Sequence, residues 1–149
     1  MRGDDLPAAD HVLRHCRQGD LKCDPDGTLR GVFPDAFQPD EDGISVTWLE
    51  WFDGAPAEQL VAARAAMKRG RRLRASHRLA KLNVGFILSQ GAIVGKAMAI
   101  AVIHDPIEQP QENENMGHSL ITGVAADDDD LRNRLANGIT AAALEFAVI

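Results

Sequence analysis

The chain has no tyrosine, and its 149 residues include only two tryptophans and five phenylalanines. Proteins that stack successive nucleobases use several aromatic rings, so this scarcity argues against extensive base stacking. The two cysteines, Cys16 and Cys23, are seven residues apart, unlike the C-x-x-C spacing of zinc and thioredoxin motifs. We therefore expect reduced thiols, with a disulfide as the alternative in an oxidising compartment.

Long apolar segments are also lacking. The polar start of the chain has no apolar region of a signal peptide. The longest apolar run, around residues 97–103, is too short to cross a bilayer. We expect a cytoplasmic protein with no membrane partner, folded as a single globular domain over residues 1–149 with residues 1–9 loosely ordered.

Signature motifs of common enzymes and metal sites are missing. No G-x-S-x-G elbow and no H-E-x-x-H motif occurs. The segment GAIVGKA at 91–97 is one residue shorter than a P-loop and lacks its Ser or Thr. The acidic turns at 24–27 and 40–43 lack the distant Glu of a calcium loop, so turn formation explains them. We predict no cofactor and no metal.

Charge, by contrast, is strongly segregated along the chain. Residues 1–58 hold 5 Lys or Arg against 13 acids, residues 59–104 hold 9 and no acid, and residues 105–149 hold 2 against 9, for a net charge of −6. Segment 68–81, KRGRRLRASHRLAK, contains seven of the sixteen basic residues. Such segregation can produce a bipolar surface.

Turn signals and hydrophobic periodicity predict the element order β-β-β-α-(α)-β-β-β-α. The predicted elements are a meander of three strands at 10–16, 28–33 and 44–48, helices at 56–70 and 71–82, a hairpin with arms at 82–91 and 96–106, a strand at 118–124 and a helix from 127 to 146. Because the strands come in groups, we predict an α+β fold. It has a mostly antiparallel sheet of five or six strands and two or three helices, the last of them C-terminal.

The basic segment is the leading candidate for a binding site. A helix would place Lys68, Arg71, Arg74, Arg78 and Lys81 near one face. Arginine forks bind phosphate and carboxylate oxygens in pairs, which favours an anionic partner, either an acidic protein surface or nucleic acid. A solvated helix that offsets the acidic flanks is the alternative, and the pI of about 5.3 argues against a dedicated DNA-binding protein. The predicted binding residues are Lys68, Arg71, Arg72, Arg74, Arg78, Lys81 and Trp51.

Trp51 joins this set because the segment WLEWF, residues 48–52, holds both tryptophans. Packing in the core at the end of a strand is the first interpretation. If the two rings lie on different faces, one is exposed and can form an interaction hot spot, where tryptophan is enriched.

Four residues at predicted strand ends are the candidate catalytic residues: His11, His104, Asp105 and His118. If they converged, they could form an acid–base or metal-assisted hydrolytic site. The alternative is that the histidines are hydrogen-bonded structural groups. Cys16 is a poor nucleophile candidate, because neighbours in a strand point to opposite faces and the adjacent His15 would point away.

The order of Arg14, Ser45-Val46-Thr47 and a downstream Glu resembles that of arginine–serine–glutamate ADP-ribosyltransferases. The candidate glutamates are Glu108, Glu112 and Glu114, and the usual Glu-x-Glu or Gln-x-Glu pair is absent. The resemblance covers scattered residues only, and it implies a site that handles a nicotinamide dinucleotide.

The sequence thus favours a binding module that works in a protein complex and engages an anionic partner through residues 68–81. A small enzyme with a His/Asp site, hydrolytic or similar to an ADP-ribosyltransferase, is the alternative. A homo-oligomeric structural protein is the third possibility.

Overall fold

Eight strands and three α-helices make up the part of the chain that the computed structural model describes, residues 2–108 and 112–148. The strands are β1 (His11–Cys16), β2 (Leu21–Cys23), β3 (Leu29–Val32), β4 (Ile44–Trp48), β5 (Arg78–Asn83), β6 (Ala101–His104), β7 (His118–Thr122) and β8 (Leu144–Phe146). The helices are α1 (Pro56–Lys68), α2 (Val84–Ile93) and α3 (Asp129–Asn137).

Six strands form one antiparallel sheet in the order β6-β7-β4-β1-β5-β8, and β2 and β3 pair separately. The predicted α+β class, with a largely antiparallel sheet and α3 near the C-terminus, is confirmed. The predicted meander is wrong, because β1 pairs with β4 and β5 and not with β2.

Both faces of the sheet are covered, which follows from the period-two alternation of side chains along each strand. On β1, Val12 and Cys16 pack into the larger apolar cluster, which also contains residues of α2 and α3. Leu13 points the other way and packs with Ala63 and Met67 of α1 in a smaller cluster. We call these two sides the α2–α3 face and the α1 face.

The segment before β1 is attached to the edge of this sheet. The backbone N–H groups of Gly3 and Leu6 donate to the carbonyl oxygens of His104 and Val102, at 2.7 and 2.9 Å. The Leu6 side chain is buried in the larger apolar cluster. Within the stretch that we expected to be loosely ordered, these contacts bring residues 3–6 alongside β6.

The predicted second helix is wrong. α1 ends at Lys68, and residues 69–77 form a loop before β5 begins at Arg78. β5 pairs with β1 over six residues and buries Leu79 and Leu82 on opposite faces. Residues 78–82, which were predicted to be helical, are therefore paired in β5, and the predicted helical stripe of cations does not form.

The predicted hairpin is also wrong in its first arm, which is mostly helix α2. Asn83 caps this helix, since its Oδ1 accepts from the N–H of Phe86 at 2.9 Å. A short apolar run fits a buried strand and a buried helix equally well by periodicity. Only β6 of the second arm is a strand, and it pairs with β7.

The final predicted helix is correct only in its first half. α3 begins after the cap Asp128, whose Oδ1 accepts from the N–H of Leu131, and it ends at Asn137. The chain then forms β8, which pairs with β5 along the sheet edge.

An arginine-lined candidate site on the α1 face

A cleft of about 600 Å³ opens on the α1 face of the sheet. Its walls are the end of α1, the loop 69–77, the segments 105–108 and 112–117 and the strands β1, β4 and β7. Four arginines line it: Arg17, Arg71, Arg72 and Arg74. We call this the arginine cleft.

Local structure at the end of α1 brings the two loops together. The carbonyl oxygen of Met67 accepts from the N–H groups of Gly70 and Arg71, at 3.2 and 3.1 Å, and the chain then turns away from the helix. Gly70 lies so close to the segment 112–117 that an added Cβ would stand 3.0 Å from the Cβ of Asn113. The absent side chain at Gly70 therefore permits this close approach.

No acidic side chain lines the arginine cleft within the described residues. In that same part of the chain, none of its four arginines has a carboxylate within ion-pair distance. Burial lowers the pKa of Arg71, the more distant Asp40 carboxylate opposes that change, and Arg17 adds to it. Among the described residues the cleft thus holds concentrated positive charge with no carboxylate in direct ion-pair contact.

Two histidines form a buried pair in the wall of the cleft. Nε2 of His15 lies 2.8 Å from Nδ1 of His77, so one ring donates and the other accepts. Burial lowers the pKa of His15 to about 4, helped by Arg71 and then by His77. Burial and then Arg74 also lower the pKa of His77. Near neutral pH both rings are uncharged and add no further positive charge.

A second polar group lies where β4 and β7 pair. Nε2 of His118 is 3.3 Å from the Oγ of Ser45. Nδ1 of His118 is 2.8 Å from the backbone oxygen of Asp105 and 3.3 Å from its Oδ2. The other carboxylate oxygen, Oδ1, accepts from Nη1 of Arg2 at 2.8 Å. Ser45 and His118 both line the arginine cleft.

Thr47 and Asn115 complete the floor of the cleft. The side-chain amide of the buried Asn115 donates to Oγ1 of Thr47 at 3.0 Å, and its Oδ1 accepts from the N–H of Gly117. Since Oγ1 of Thr47 accepts this bond, its own hydroxyl proton remains to be donated.

The structure brings together only two of the four candidate catalytic residues, Asp105 and His118. His11 is held by Glu50, with Nδ1 at 2.7 Å from Oε2. His104 lies on the α2–α3 face, where its Nε2 contacts the backbone oxygen of Met116 and its ring packs against both tryptophans. Within residues 2–108 and 112–148, no group of three or more His, Cys, Asp and Glu could hold a metal ion.

The predicted basic residues divide between several places. Arg71, Arg72 and Arg74 line the cleft, whereas Lys68 lies at a smaller groove beside α1. Arg78 stacks over the ring of Phe146, with its guanidinium carbon 4.4 Å from the ring centroid. Lys81 is half-buried on β5, opposite Leu13.

Trp51 lies apart from these cations. Its ring is 40% exposed and packs against Trp48 and His104, with centroids 5.8 and 4.9 Å away. Both tryptophans therefore belong to one aromatic cluster at the end of β4, with Trp51 on its outer side.

Of the residues that resemble an ADP-ribosyltransferase site, Ser45 and Thr47 line the cleft, whereas Arg14 and the candidate glutamates do not. The Arg14 guanidinium donates to the backbone oxygens of Ala36 and Ser45 at 2.7 and 2.9 Å, while the Ser45 side chain lines the cleft on the other face. Burial lowers the pKa of Arg14. None of the three candidate glutamates lines the cleft. Arg14 is thus committed to fixing the backbone around β4.

Cys16 and Cys23 are both free thiols. Cys16 is buried on the α2–α3 face, and His15 points to the opposite side, as the alternation predicts. Burial, with Asp20 adding to its effect, raises the pKa of Cys16 to about 12. Its thiol is therefore protonated and unreactive near neutral pH.

Several cleft residues were not predicted as part of a site: Arg17, His15, His77, Asn113 and Asn115. Ser45 was predicted only through the ADP-ribosyltransferase resemblance, and not beside His118. The alternation of β4 carried a usable signal, because Ser45 and Thr47 are polar residues on one face of a strand whose other face is apolar. For the loop residues, no comparable pattern exists in the sequence.

Comparison of the chain with protein-family models, with curated proteins and with solved structures finds no match. Among the described residues, no helix has the length and apolar character needed to cross a membrane. A function for this chain must therefore be argued from the cleft.

Proposed function

We propose that the protein binds a small anionic ligand, one carrying phosphate or carboxylate groups, in the arginine cleft. The observation that carries this proposal is the presence of four arginines around one cavity, none of which has a carboxylate within ion-pair distance in the described part of the chain. Arg17, Arg71, Arg72 and Arg74 supply paired donors that match phosphate and carboxylate oxygens.

The shape of the site favours a small ligand over a macromolecular surface. A concave cavity of about 600 Å³ is in the range that encloses small molecules. An acidic protein surface or a nucleic-acid backbone would instead suit an exposed stripe of cations. Loss of the predicted helical stripe removes that arrangement, so the anionic partner of the basic segment becomes a compact one.

The unpaired charge also has a physical cost that a ligand relieves. Like charges gathered around one cavity repel each other, and the half-buried Arg71 also loses hydration. An anion that enters the cleft replaces repulsion with charge-assisted hydrogen bonds, which are the stronger class of hydrogen bond. The neutral state of the His15–His77 pair limits this repulsion in the free protein.

The test is calorimetric titration with inorganic pyrophosphate at low salt. We expect saturable binding to the wild type and at least a tenfold weaker Kd in the double variant Arg71→Gln/Arg74→Gln, about 1.4 kcal/mol or more. Arg134→Gln is the matched control, because Arg134 pairs with Asp130 on α3, outside the cleft. This control should bind pyrophosphate like the wild type.

Parallel titrations with a poly-glutamate peptide and a DNA duplex separate the other partners. Saturable binding of pyrophosphate, with no binding of either polymer, supports a small ligand. Pyrophosphate binding that is absent, or equally strong in the double variant, overturns the proposal. Tight polymer binding that depends on Arg71 and Arg74 would overturn the small-ligand part and restore a macromolecular partner.

A further inference from the structure

We infer that Ser45, His118 and Asp105 form a nucleophilic site that hydrolyses esters whose acyl group carries a negative charge. This inference rests on the proposed anion binding for its substrate class, but not for its chemistry. A serine nucleophile requires a base within hydrogen-bond reach and a third group that orients the base. Ser45 and His118 line the arginine cleft, and Asp105 contacts His118.

The hydrogen bonds of His118 fix which nitrogen acts as the base. Nδ1 faces two oxygens of Asp105, the backbone oxygen at 2.8 Å and Oδ2 at 3.3 Å. Both oxygens are acceptors, so Nδ1 carries the proton. Nε2 is then the unprotonated nitrogen, and it lies 3.3 Å from the Oγ of Ser45. Ser45 is thus positioned to donate its hydroxyl proton to His118.

Asp105 is itself held in place. Nη1 of Arg2 donates to its Oδ1 at 2.8 Å, and Nη2 of Arg2 donates to the backbone oxygen of Pro106 at 2.6 Å. This clamp leaves Oδ2 directed at His118. Arg2 and Asp105 are therefore positioning residues, whereas Ser45 and His118 are the catalytic ones.

Strand pairing explains how these residues meet although they are far apart in sequence. In the β4–β7 register, His118 is opposite Thr47 and Leu120 is opposite Ser45. Ser45 and His118 are thus diagonal neighbours on the same face, within reach of a long side chain. Asp105 directly follows β6, which pairs with β7, so the three residues come from β4, from β7 and from the position just after β6.

The reaction follows from this geometry. Ser45 Oγ attacks the ester carbonyl carbon while its proton moves to Nε2 of His118, and the bond from carbon to the leaving oxygen then breaks as that oxygen takes the proton. A water molecule next attacks the acyl-serine and gives its proton to His118. The carboxylate product leaves as Ser45 recovers its proton. The Thr47 hydroxyl and the cleft arginines supply donors for the oxyanion.

The arginines select the substrate. Ser45 and Arg71 line the same cavity, so an acyl chain with a terminal carboxylate can present its carbonyl to Ser45 while its charge contacts an arginine. A neutral acyl chain of the same length lacks that second contact. We therefore expect discrimination between two otherwise matched esters.

The first experiment labels the nucleophile with an alkyl fluorophosphonate. In labelling, the Ser45 Oγ–P bond forms, the P–F bond breaks, fluoride leaves and His118 takes the serine proton. We expect one adduct by intact mass, located at Ser45 by fragmentation. Ser45→Ala should abolish it, His118→Asn should slow labelling at least 100-fold, and Asp105→Asn should slow it about tenfold.

Ser89→Ala is the control, because Ser89 lies on α2 with its hydroxyl donated to the Phe86 carbonyl oxygen. Labelling of this variant should match the wild type. Circular dichroism and urea unfolding establish that each variant is folded. Ser45→Ala removes a single oxygen from a half-buried position, so it reports on chemistry rather than on folding.

The second experiment compares p-nitrophenyl hemisuccinate with p-nitrophenyl butyrate. We expect kcat/KM at least tenfold higher for the hemisuccinate and a ratio near one in Arg71→Gln/Arg74→Gln. Pyrophosphate binding without Ser45 labelling or ester hydrolysis overturns this inference and leaves the binding proposal standing. A different outcome is that Ser45 is labelled but the two esters are hydrolysed equally well, and pyrophosphate binds the arginine variant as it binds the wild type. That outcome overturns the binding proposal and the substrate class instead.

Discussion

The arginines of α3 and the arginines of the cleft are the same residue type in opposite situations. Nη2 of Arg132 lies 2.7 Å from Oδ1 of Asp129, its Nη1 contacts Gln38 and Asp35 at 3.2 and 3.5 Å, and Arg134 pairs with Asp130. In the described chain, the four cleft arginines have no such partners. The acids of α3 thus neutralise its arginines, whereas the cleft leaves its charges available.

This difference separates a structural role from a binding role. On α3, the Arg132–Asp129 and Arg134–Asp130 pairs join residues three or four apart on one helix, so the sequence itself places these counter-ions. In the loop 69–77 no acid is present, and of the residues that the structure describes no acidic side chain lines the cleft. Charge that folding leaves unneutralised at a concave site is charge that an external anion can use.

Removal of one arginine from each region should show whether the α3 arginines stabilise the fold and the cleft arginines do not. Arg132 is buried, so Arg132→Ala loses packing and charge-assisted hydrogen bonds and should lower the free energy of unfolding by about 2–3 kcal/mol. Arg72→Ala should change it by less than about 0.5 kcal/mol, because Arg72 has no carboxylate partner. Urea unfolding of both variants measures the difference.

Equal losses in the two variants would contradict this view, since they would show that Arg72 stabilises the fold through contacts of its own. A gain in stability for Arg72→Ala would support the conclusion that the cleft arginines are not neutralised, because removal of one charge reduces repulsion within the cleft.

The His15–His77 pair gives the second prediction, on pH. The pKa of His15 is about 4 in the folded protein and about 6.5 in the unfolded chain, so the unfolded state binds more protons between these values. The part of the folding stability that depends on neutral His15 is therefore fully present above pH 6.5 and is lost as the pH falls towards 4. We expect His15 to account for a loss of about 1.5 kcal/mol between pH 7 and pH 5.

Urea unfolding of the wild type and of His15→Gln at the two pH values isolates this contribution. His77 also has a lowered pKa and contributes in the same window in both proteins, whereas the pKa values of Asp26 and Asp128 are lowered from an ordinary value that already lies below pH 5. The variant should lose distinctly less stability on acidification. An equal loss in both proteins would show that the buried pair does not titrate as described.

The fold was predictable to the extent that local pattern decided it. β1 and β4 follow from alternation and β-branched residues, and α1 follows from its proline start and small apolar residues. α2 and β5 were missed because tertiary pairing decides them. Residues 78–83 form a strand through their pairing with β1, and residues 84–93 pack as a helix against β5 and α3.

The site was predictable in its charge and in two residues at strand ends. The acid-free segment pointed to Arg71, Arg72 and Arg74, and the strand ends pointed to Asp105 and His118. Ser45 could not be joined to His118 without the β4–β7 register, in which a shift of one residue would turn Ser45 to the other face. The His15–His77 pair likewise depends on where the loop 69–77 returns to β1.

The smallest expected effect is also the most direct probe of the cleft. Arg71 and Arg17 help to lower the pKa of His15, so an anion bound among these arginines should weaken their influence and raise that pKa. NMR titration of the imidazole signals with and without pyrophosphate should show a rise of about 0.5–1 pH unit for His15. Arg71→Gln should produce a similar rise without any anion.

The ring signals of His11 and His104, which lie outside the cleft, should keep their chemical shifts when pyrophosphate is added. If pyrophosphate leaves His15 unchanged and shifts His11 instead, the anion binds elsewhere, and the unpaired arginines lose the role that distinguishes them from those of α3.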